Sequence, residues 1–142
     1  MQNISTGLLA GLVATVVLAA MMFVQSMMGV MPGLNVAAMI GTIIGSSVAV
    51  GWIIHLMVHT IAGGGGFALL YNLIPGGSAP VKGIVYGIAA WLFLMFVIMP
   101  LAGVGLFGLS LGMMAPVTVL VLHIIFGAVL GFVYQMRVKN SA

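Results

Sequence analysis

The chain has 142 residues, and only three of them, Lys82, Arg137 and Lys139, carry a permanent charge. Asp, Glu and Cys are absent, while 64% of the residues are hydrophobic. Water-soluble domains carry about a quarter of their residues as Asp, Glu, Lys and Arg, because these side chains keep a compact chain in solution. The composition therefore predicts an integral membrane protein whose solvent is lipid.

The missing side chains also exclude several classes of function. Without carboxylates the chain has no acid–base pair, no ligands for hard cations and no partner that would orient a catalytic histidine. Without cysteine it has no thiolate nucleophile and no thiolate-ligated cluster. Its few cations lie at the ends of apolar segments and form no patch for nucleic acid. We therefore expect a non-enzymatic protein that does not bind nucleic acid.

Four apolar stretches are long enough to cross a bilayer, which requires roughly 20 residues of helix. They cover about residues 5–30, 50–74, 80–100 and 115–136. Prolines, which are best tolerated at helix ends, occur at or just beyond these limits. Residues 1–6 contain no Lys or Arg, and the first stretch is longer than the apolar core of a secretion signal, so we interpret it as a retained span.

Three connectors join these stretches. Residues 33–48 and 101–114 are apolar, rich in glycine and too short to cross, which is typical of re-entrant or interfacial half-helices. Residues 75–80 instead read as a tight polar turn. The sequence predicts an all-α fold: one transmembrane domain over residues 1–142, built as a four-helix bundle with two half-helices.

The three cations indicate the orientation of this domain. With four spans, Lys82, Arg137 and Lys139 lie on the same side of the membrane as both termini. Positive charges are enriched on the cytoplasmic side. We therefore expect cytoplasmic N- and C-termini, with the half-helices at the opposite face.

The two halves of the chain share a spacing. Pro32 precedes His55 by 23 residues, and Pro100 precedes His123 by the same number. Each half then reads as a span, a half-helix and a second span, which suggests an internal two-fold repeat with parallel halves. With so few prolines and histidines, coincidence is an equally good interpretation.

Five pairs of glycines are separated by three residues: Gly7/Gly11, Gly41/Gly45, Gly83/Gly87, Gly108/Gly112 and Gly127/Gly131. Small residues let membrane helices approach closely. The pairs could form an interface with another subunit or serve packing within the bundle. Because they lie on several segments, we favour packing within the bundle.

Three histidines are the strongest candidates for a functional site. His55 and His59 are four residues apart and share a helix face, while His123 lies on the fourth span. Counted from the helix starts, all three lie roughly 7 to 14 Å into the outer half of the bilayer, at 1.5 Å per residue. Polar side chains within a span usually face the bundle interior and are often functional. The sequence predicts that the three imidazoles converge.

Two cofactors suit neutral imidazoles. Copper is favoured by the 13 methionines, since thioether and imidazole bind Cu(I), and Met57 is the predicted thioether ligand beside His55, His59 and His123. Haem b could be held by one histidine from each helix, with Gly63–Gly66 and Gly127 leaving room for the ring, although its propionates would find no cation nearby. Alternatively the histidines bind no ligand and only make hydrogen bonds between helices.

The pattern of spans resembles that of small four-span bacterial inner-membrane proteins of unknown function. This resemblance covers most of the chain and implies a location and a size, but no activity. Our leading hypothesis is a subunit of a larger membrane redox or respiratory assembly, with the lipid bilayer and other membrane subunits, or a second copy, as partners. The alternatives are a purely structural accessory subunit and a small channel or transporter.

Overall fold

The structure is a computed structural model that describes residues 3–31 and 33–140. Within these ranges the chain is helical and contains no strand. The α-helices are α1 (Ile4–Met27), α2 (Val36–Ile43), α3 (Val48–Leu70), α4 (Ala79–Leu101) and α5 (Met114–Lys139). A 3₁₀ segment, Leu106–Leu111, connects α4 to α5. Helices α1, α3, α4 and α5 are long and apolar enough to cross a membrane, so the predicted all-α fold with four spanning helices is confirmed.

The helix ends differ from the predicted limits by a few residues. Helix α1 ends at Met27, shortly before Gly29 adopts a left-handed backbone with φ of 68°. Helix α3 ends at Leu70 instead of continuing to residue 74, because the residue before Pro75 is disfavoured in helical conformation. Hydropathy cannot reveal such stops, since the residues beyond them are still apolar.

The two predicted half-helices differ from each other. The first contains an α-helix of eight residues, α2, which begins at Val36. The side chain of Asn35 caps it by accepting a hydrogen bond from the Ala38 amide. The second contains a 3₁₀ segment that is interrupted at Phe107 and Gly108, where φ is positive. Both halves of the chain therefore read as a long helix, a short helical segment and a long helix. Pro32 lies outside the described residues, and the internal repeat stays a prediction.

Glycine contacts set the order of the four long helices. Helix α1 packs against α3 and α5, and α5 packs against α4. A Cβ atom added to Gly83 would overlap the Gly127 carbonyl, and one added to Gly64 would overlap the Gly7 carbonyl. The interpretation that glycine pairs serve packing within the bundle is thus confirmed for these helices. Gly45 and Gly112, in contrast, face open space.

The bundle has two ends with different packing. We call the end where residues 71–78 connect α3 to α4 the turn end, and the opposite end the loop end. Near the turn end, Phe67 and Tyr134 are buried with their ring centres 5.4 Å apart. Lys82 donates a hydrogen bond of 2.8 Å to the Tyr71 carbonyl there. Aromatic rings thus fill the turn end, and the three histidines lie toward the loop end.

Candidate functional site: a cavity lined by three histidines

The structure brings the three predicted histidines together. The ring centres of His55 and His59 are 4.3 Å apart, and those of His59 and His123 are 5.9 Å apart. His55 is 3% exposed and His123 is 7% exposed. Their spacing on α3 and the parallel course of α3 and α5 account for this convergence.

Hydrogen bonds fix the proton position on two of the rings. His59 Nδ1 lies 3.0 Å from the His55 carbonyl oxygen, and His123 Nδ1 lies 2.9 Å from the Val119 carbonyl oxygen. A carbonyl oxygen only accepts, so in both rings Nδ1 carries the proton and donates it. In a neutral imidazole the other nitrogen, Nε2, then holds the lone pair. His59 and His123 therefore share one tautomer, with Nε2 able to accept a hydrogen bond or bind a metal.

His55 has a different role. Its Nδ1 atom is buried and has no hydrogen-bond partner among the described residues. Its ring also contacts the edge of the Trp52 ring, with centres 5.7 Å apart. Leaving a buried polar atom unpaired costs about 1 to 3 kcal/mol. Because Nδ1 has almost no accessible surface, the cavity does not reach this atom.

A cavity of about 740 Å³ lies beside these rings, within the range of small-molecule sites. Leu18, Leu122 and Phe126 are buried aliphatic and aromatic residues that line it, and we call them the deep wall. The residues that line it elsewhere are mostly aliphatic or aromatic, but three polar side chains, Gln25, Ser26 and Asn35, line its loop-end rim. The cavity is therefore apolar in its body, with neutral imidazoles along one part of its lining and polar side chains at the rim.

A change in helix type occurs at the site. The segment His59–Gly65 of α3 is a π-helix, which is wider than an α-helix and is often found at functional sites. Gly63 lines the cavity, and a Cβ atom there would lie 2.9 Å from Phe126 Cζ. Gly64 instead packs against Gly7 and Gly11 of α1, and Gly127 packs against Gly83 of α4. Of the glycines predicted to leave room for a ring, Gly63–Gly66 and Gly127, only Gly63 lines the cavity, and the expectation itself stays a prediction.

The structure does not place Met57 with the histidines. Its side chain is 53% exposed and does not line the cavity. Two residues along a helix correspond to roughly 200° of rotation, so Met57 lies on the opposite face from His55. Met22 and Met31 line the cavity instead. Their position at the end of the first span was the available signal, but the sequence did not single them out from neighbouring methionines.

The arrangement limits which metals could bind. Among the described residues, no group of three or more His, Cys, Asp or Glu side chains is arranged so that it could hold a metal ion. A metal ion held by His55, His59 and His123 together therefore finds no support in this geometry. A ligand that uses two imidazoles remains compatible with the distances.

The four long apolar helices define a multi-pass membrane protein, and the cavity is its most distinctive feature. Residues 1–141 match a family of unknown function (DUF6789), and the chain belongs to this family. No curated protein and no solved structure matches the chain. The expected resemblance to a family of unknown function is thus confirmed, and any activity must be argued from the cavity itself.

Proposed function

We propose that this chain is a non-enzymatic subunit of a larger membrane redox or respiratory assembly, and that its cavity binds haem b between His59 and His123. One observation carries the proposal: two imidazoles with the same tautomer flank an apolar cavity of about 740 Å³ with their rings 5.9 Å apart. Haem b can be held in a helix bundle by axial histidines.

His59 and His123 are the residues that would hold the haem iron. Their ring centres are 5.9 Å apart, and each has an Nε2 lone pair because its Nδ1 donates to a backbone carbonyl. Neutral imidazole is a ligand of haem iron. His55 lies beside His59 and is not part of this pair.

The charges of haem also have a place at this site. A ferrous porphyrin is neutral at its centre, which suits an apolar cavity, but its two propionates need polar surroundings. No Lys or Arg belongs to the described residues that line the cavity. Gln25, Ser26 and Asn35 at the loop-end rim supply polar groups close to the membrane surface. We expect the propionates to lie at this rim.

Copper is the second candidate, because Met22 and Met31 line the same cavity as the histidines. Thioether and imidazole groups suit Cu(I). Copper is a weaker candidate than haem for two reasons. The predicted ligand Met57 faces away, and a single ion would leave most of the cavity without contacts.

Visible spectroscopy and metal analysis of the purified protein test both candidates. For haem we expect a Soret band after reconstitution, with one iron per chain, and for copper we expect one copper per chain without that band. His59→Ala and His123→Ala should each abolish the signal, while Met57→Leu, at an exposed position on the same helix, should retain it. Protein that binds neither iron nor copper would contradict the proposal and leave the purely structural subunit as the interpretation.

The channel interpretation is the weaker alternative. Phe67 and Leu130, which lie closer to the turn end, are fully buried and do not line the cavity. Among the described residues the cavity therefore shows no continuation to the turn end. We expect reconstituted liposomes to show no flux of protons or small solutes above that of empty liposomes.

We propose that the protein resides in a bacterial inner membrane with its termini and the turn end in the cytoplasm, supported by Lys82, Arg137 and Lys139 at that end. The absence of cysteine makes single-cysteine labelling straightforward. In intact cells, a membrane-impermeant maleimide should label Ser110→Cys, at the loop end, and should label Ser78→Cys only after the cells are broken. The reverse pattern would contradict this orientation.

A further inference from the structure

The side of the bundle between α3 and α4 differs from the other sides. Helices α1 and α3, α1 and α5, and α4 and α5 all pack closely, and two of these contacts use glycines. No comparable contact joins α3 to α4 among the described residues. The four long helices therefore leave a gap between α3 and α4. Toward the loop end, α2 packs against α3 and its Met39 packs against the buried cluster of Met95, Met99 and Val119, so the gap lies between that contact and the turn end.

Several residues of α3 and α4 that line the cavity are also well exposed. Val58 on α3 is 51% exposed and Phe93 on α4 is 60% exposed, and both line the cavity. The small side chains Ala62 and Ala89 are exposed cavity-lining residues of the same two helices. Exposed lining residues on two helices that do not pack closely point to an opening between them, and in a spanning bundle such an opening would face lipid.

A hydrogen bond limits the gap toward the turn end. The Tyr86 hydroxyl on α4 donates to the Ala62 carbonyl on α3 at 2.6 Å. Ala62 belongs to the π-helical segment. The Tyr86 ring also contacts the buried Phe67 ring, with centres 5.7 Å apart. Tyr86 thus joins α3 to α4 on the turn-end side of the gap. The gap itself has the small side chains of Ala62 on the α3 side and Ala89 on the α4 side.

We propose that the gap between α3 and α4 is a lateral opening through which the cavity takes up its ligand from the bilayer. The proposal names the route of the haem in the proposed function and rests on that function only for the identity of the ligand. A charged, hydrated solute would lose its hydration at this apolar opening without compensation. The opening therefore favours largely apolar molecules that dissolve in lipid.

Photolabelling with an apolar aryl diazirine dissolved in the bilayer tests the opening without haem. Leu122 and Phe126, which are 9% and 2% exposed, form the deep wall of the cavity, and we expect the probe to label them in the intact protein. Ala89→Phe should lower this labelling by about fivefold or more, because the phenyl ring fills the gap and a close-packed region admits no further group. Labelling confined to residues on the outer surface would overturn the proposal.

Two control variants separate blocking from misfolding. Ala20→Phe adds the same ring at an exposed position on α1 that does not line the cavity, and it should leave the labelling of Leu122 and Phe126 unchanged. Tyr86→Phe removes the hydrogen bond to Ala62 but keeps the ring, and it should raise the labelling. Equal labelling in Ala89→Phe and Ala20→Phe, with both proteins folded by circular dichroism, would show that the probe does not enter between α3 and α4.

Haem uptake distinguishes the two proposals. When haem is supplied from loaded liposomes, Ala89→Phe should acquire the Soret band several-fold more slowly than Ala20→Phe. If Ala89→Phe blocks the labelling of the deep wall but the protein never binds haem, the opening stands and the cofactor is refuted. If instead both variants bind haem equally fast and the deep wall is not labelled, the opening is refuted and the cofactor stands.

Discussion

The turn end and the loop end of this bundle use the same kinds of residue for different purposes. At the turn end, Phe67 and Tyr134 fill the space between helices. At the loop end the helices surround a cavity, and three polar rings line it. In lipid, burial of apolar groups does not drive helix association, so close packing must hold the helices together. The contrast indicates that the turn end stabilises the fold and that the loop end can afford the empty space of a binding site.

The largest expected change in the free energy of unfolding distinguishes two neighbouring glycines, Gly63 and Gly64. A methyl group at Gly64 would overlap the Gly7 backbone of α1, whereas one at Gly63 would meet only the tip of the Phe126 ring beside the cavity. Backbone cannot yield locally, so Gly64→Ala should lower the free energy of unfolding by about 3 kcal/mol, as in severe overpacking. SDS titration of the protein in mixed micelles measures this change.

Gly63→Ala is the matched control for that comparison. The Phe126 ring can shift toward the cavity, so we expect a loss of only about 0.5 kcal/mol, below the usual cost of overpacking. Equal losses at the two positions would mean that the contact between α1 and α3 is less close than the structure describes.

The next largest change in the free energy of unfolding is expected from the aromatic packing of the turn end. Phe67→Ala removes a fully buried ring, and it should lower the free energy of unfolding by about 2 kcal/mol. The expected loss comes mainly from the empty space, because lipid is as apolar as the protein core and the transfer of the ring contributes little. Phe132→Ala, at a ring that is 55% exposed, is the control and should change stability little. A similar loss in both variants would contradict the assignment of the turn end as the packed region.

Much of this contrast could be predicted from the sequence. Length and hydropathy identified the four long helices, because a bilayer imposes its thickness on any spanning segment. The convergence of His55, His59 and His123 followed from a helical spacing and from the parallel direction of two spans. Both features depend on regular α-helix geometry, which α3 keeps up to Val58 and α5 keeps over its whole length.

The rest depends on departures from regular geometry. The π-helical segment that begins at His59 changes which glycine faces which neighbour, so a run of four identical residues could not be assigned from the sequence. The cavity itself arises because the four helices do not pack closely at the loop end. No pattern of residues in the sequence indicates its volume. Met57 is different: its position two residues from His55 already placed it on the opposite helix face.

A smaller effect should come from the loop end, where one hydrogen bond joins α4 to the start of α5. Trp91 Nε1 donates to the Pro116 carbonyl at 3.0 Å. Trp91→Phe keeps most of the ring but removes the donor, and it should lower the free energy of unfolding by about 1 kcal/mol. Because Trp91 does not line the cavity, ligand binding should be unchanged in the same protein. A large loss of stability would show that the loop end contributes more to the fold than we infer.

The smallest expected change in the free energy of unfolding tests whether a buried polar group stabilises the packed part of the bundle. Thr15 is fully buried on α1, and its hydroxyl donates to the Gly11 carbonyl of the same helix at 2.6 Å. This bond does not cross between helices, and it can persist when the helices separate within the membrane. Thr15→Val keeps the shape of the side chain, so we expect a loss of no more than about 0.6 kcal/mol, the average for polar contacts between membrane helices. A loss comparable to that of Phe67→Ala, measured by the same SDS titration, would mean that a buried hydroxyl holds the turn end together, and not its aromatic and glycine packing.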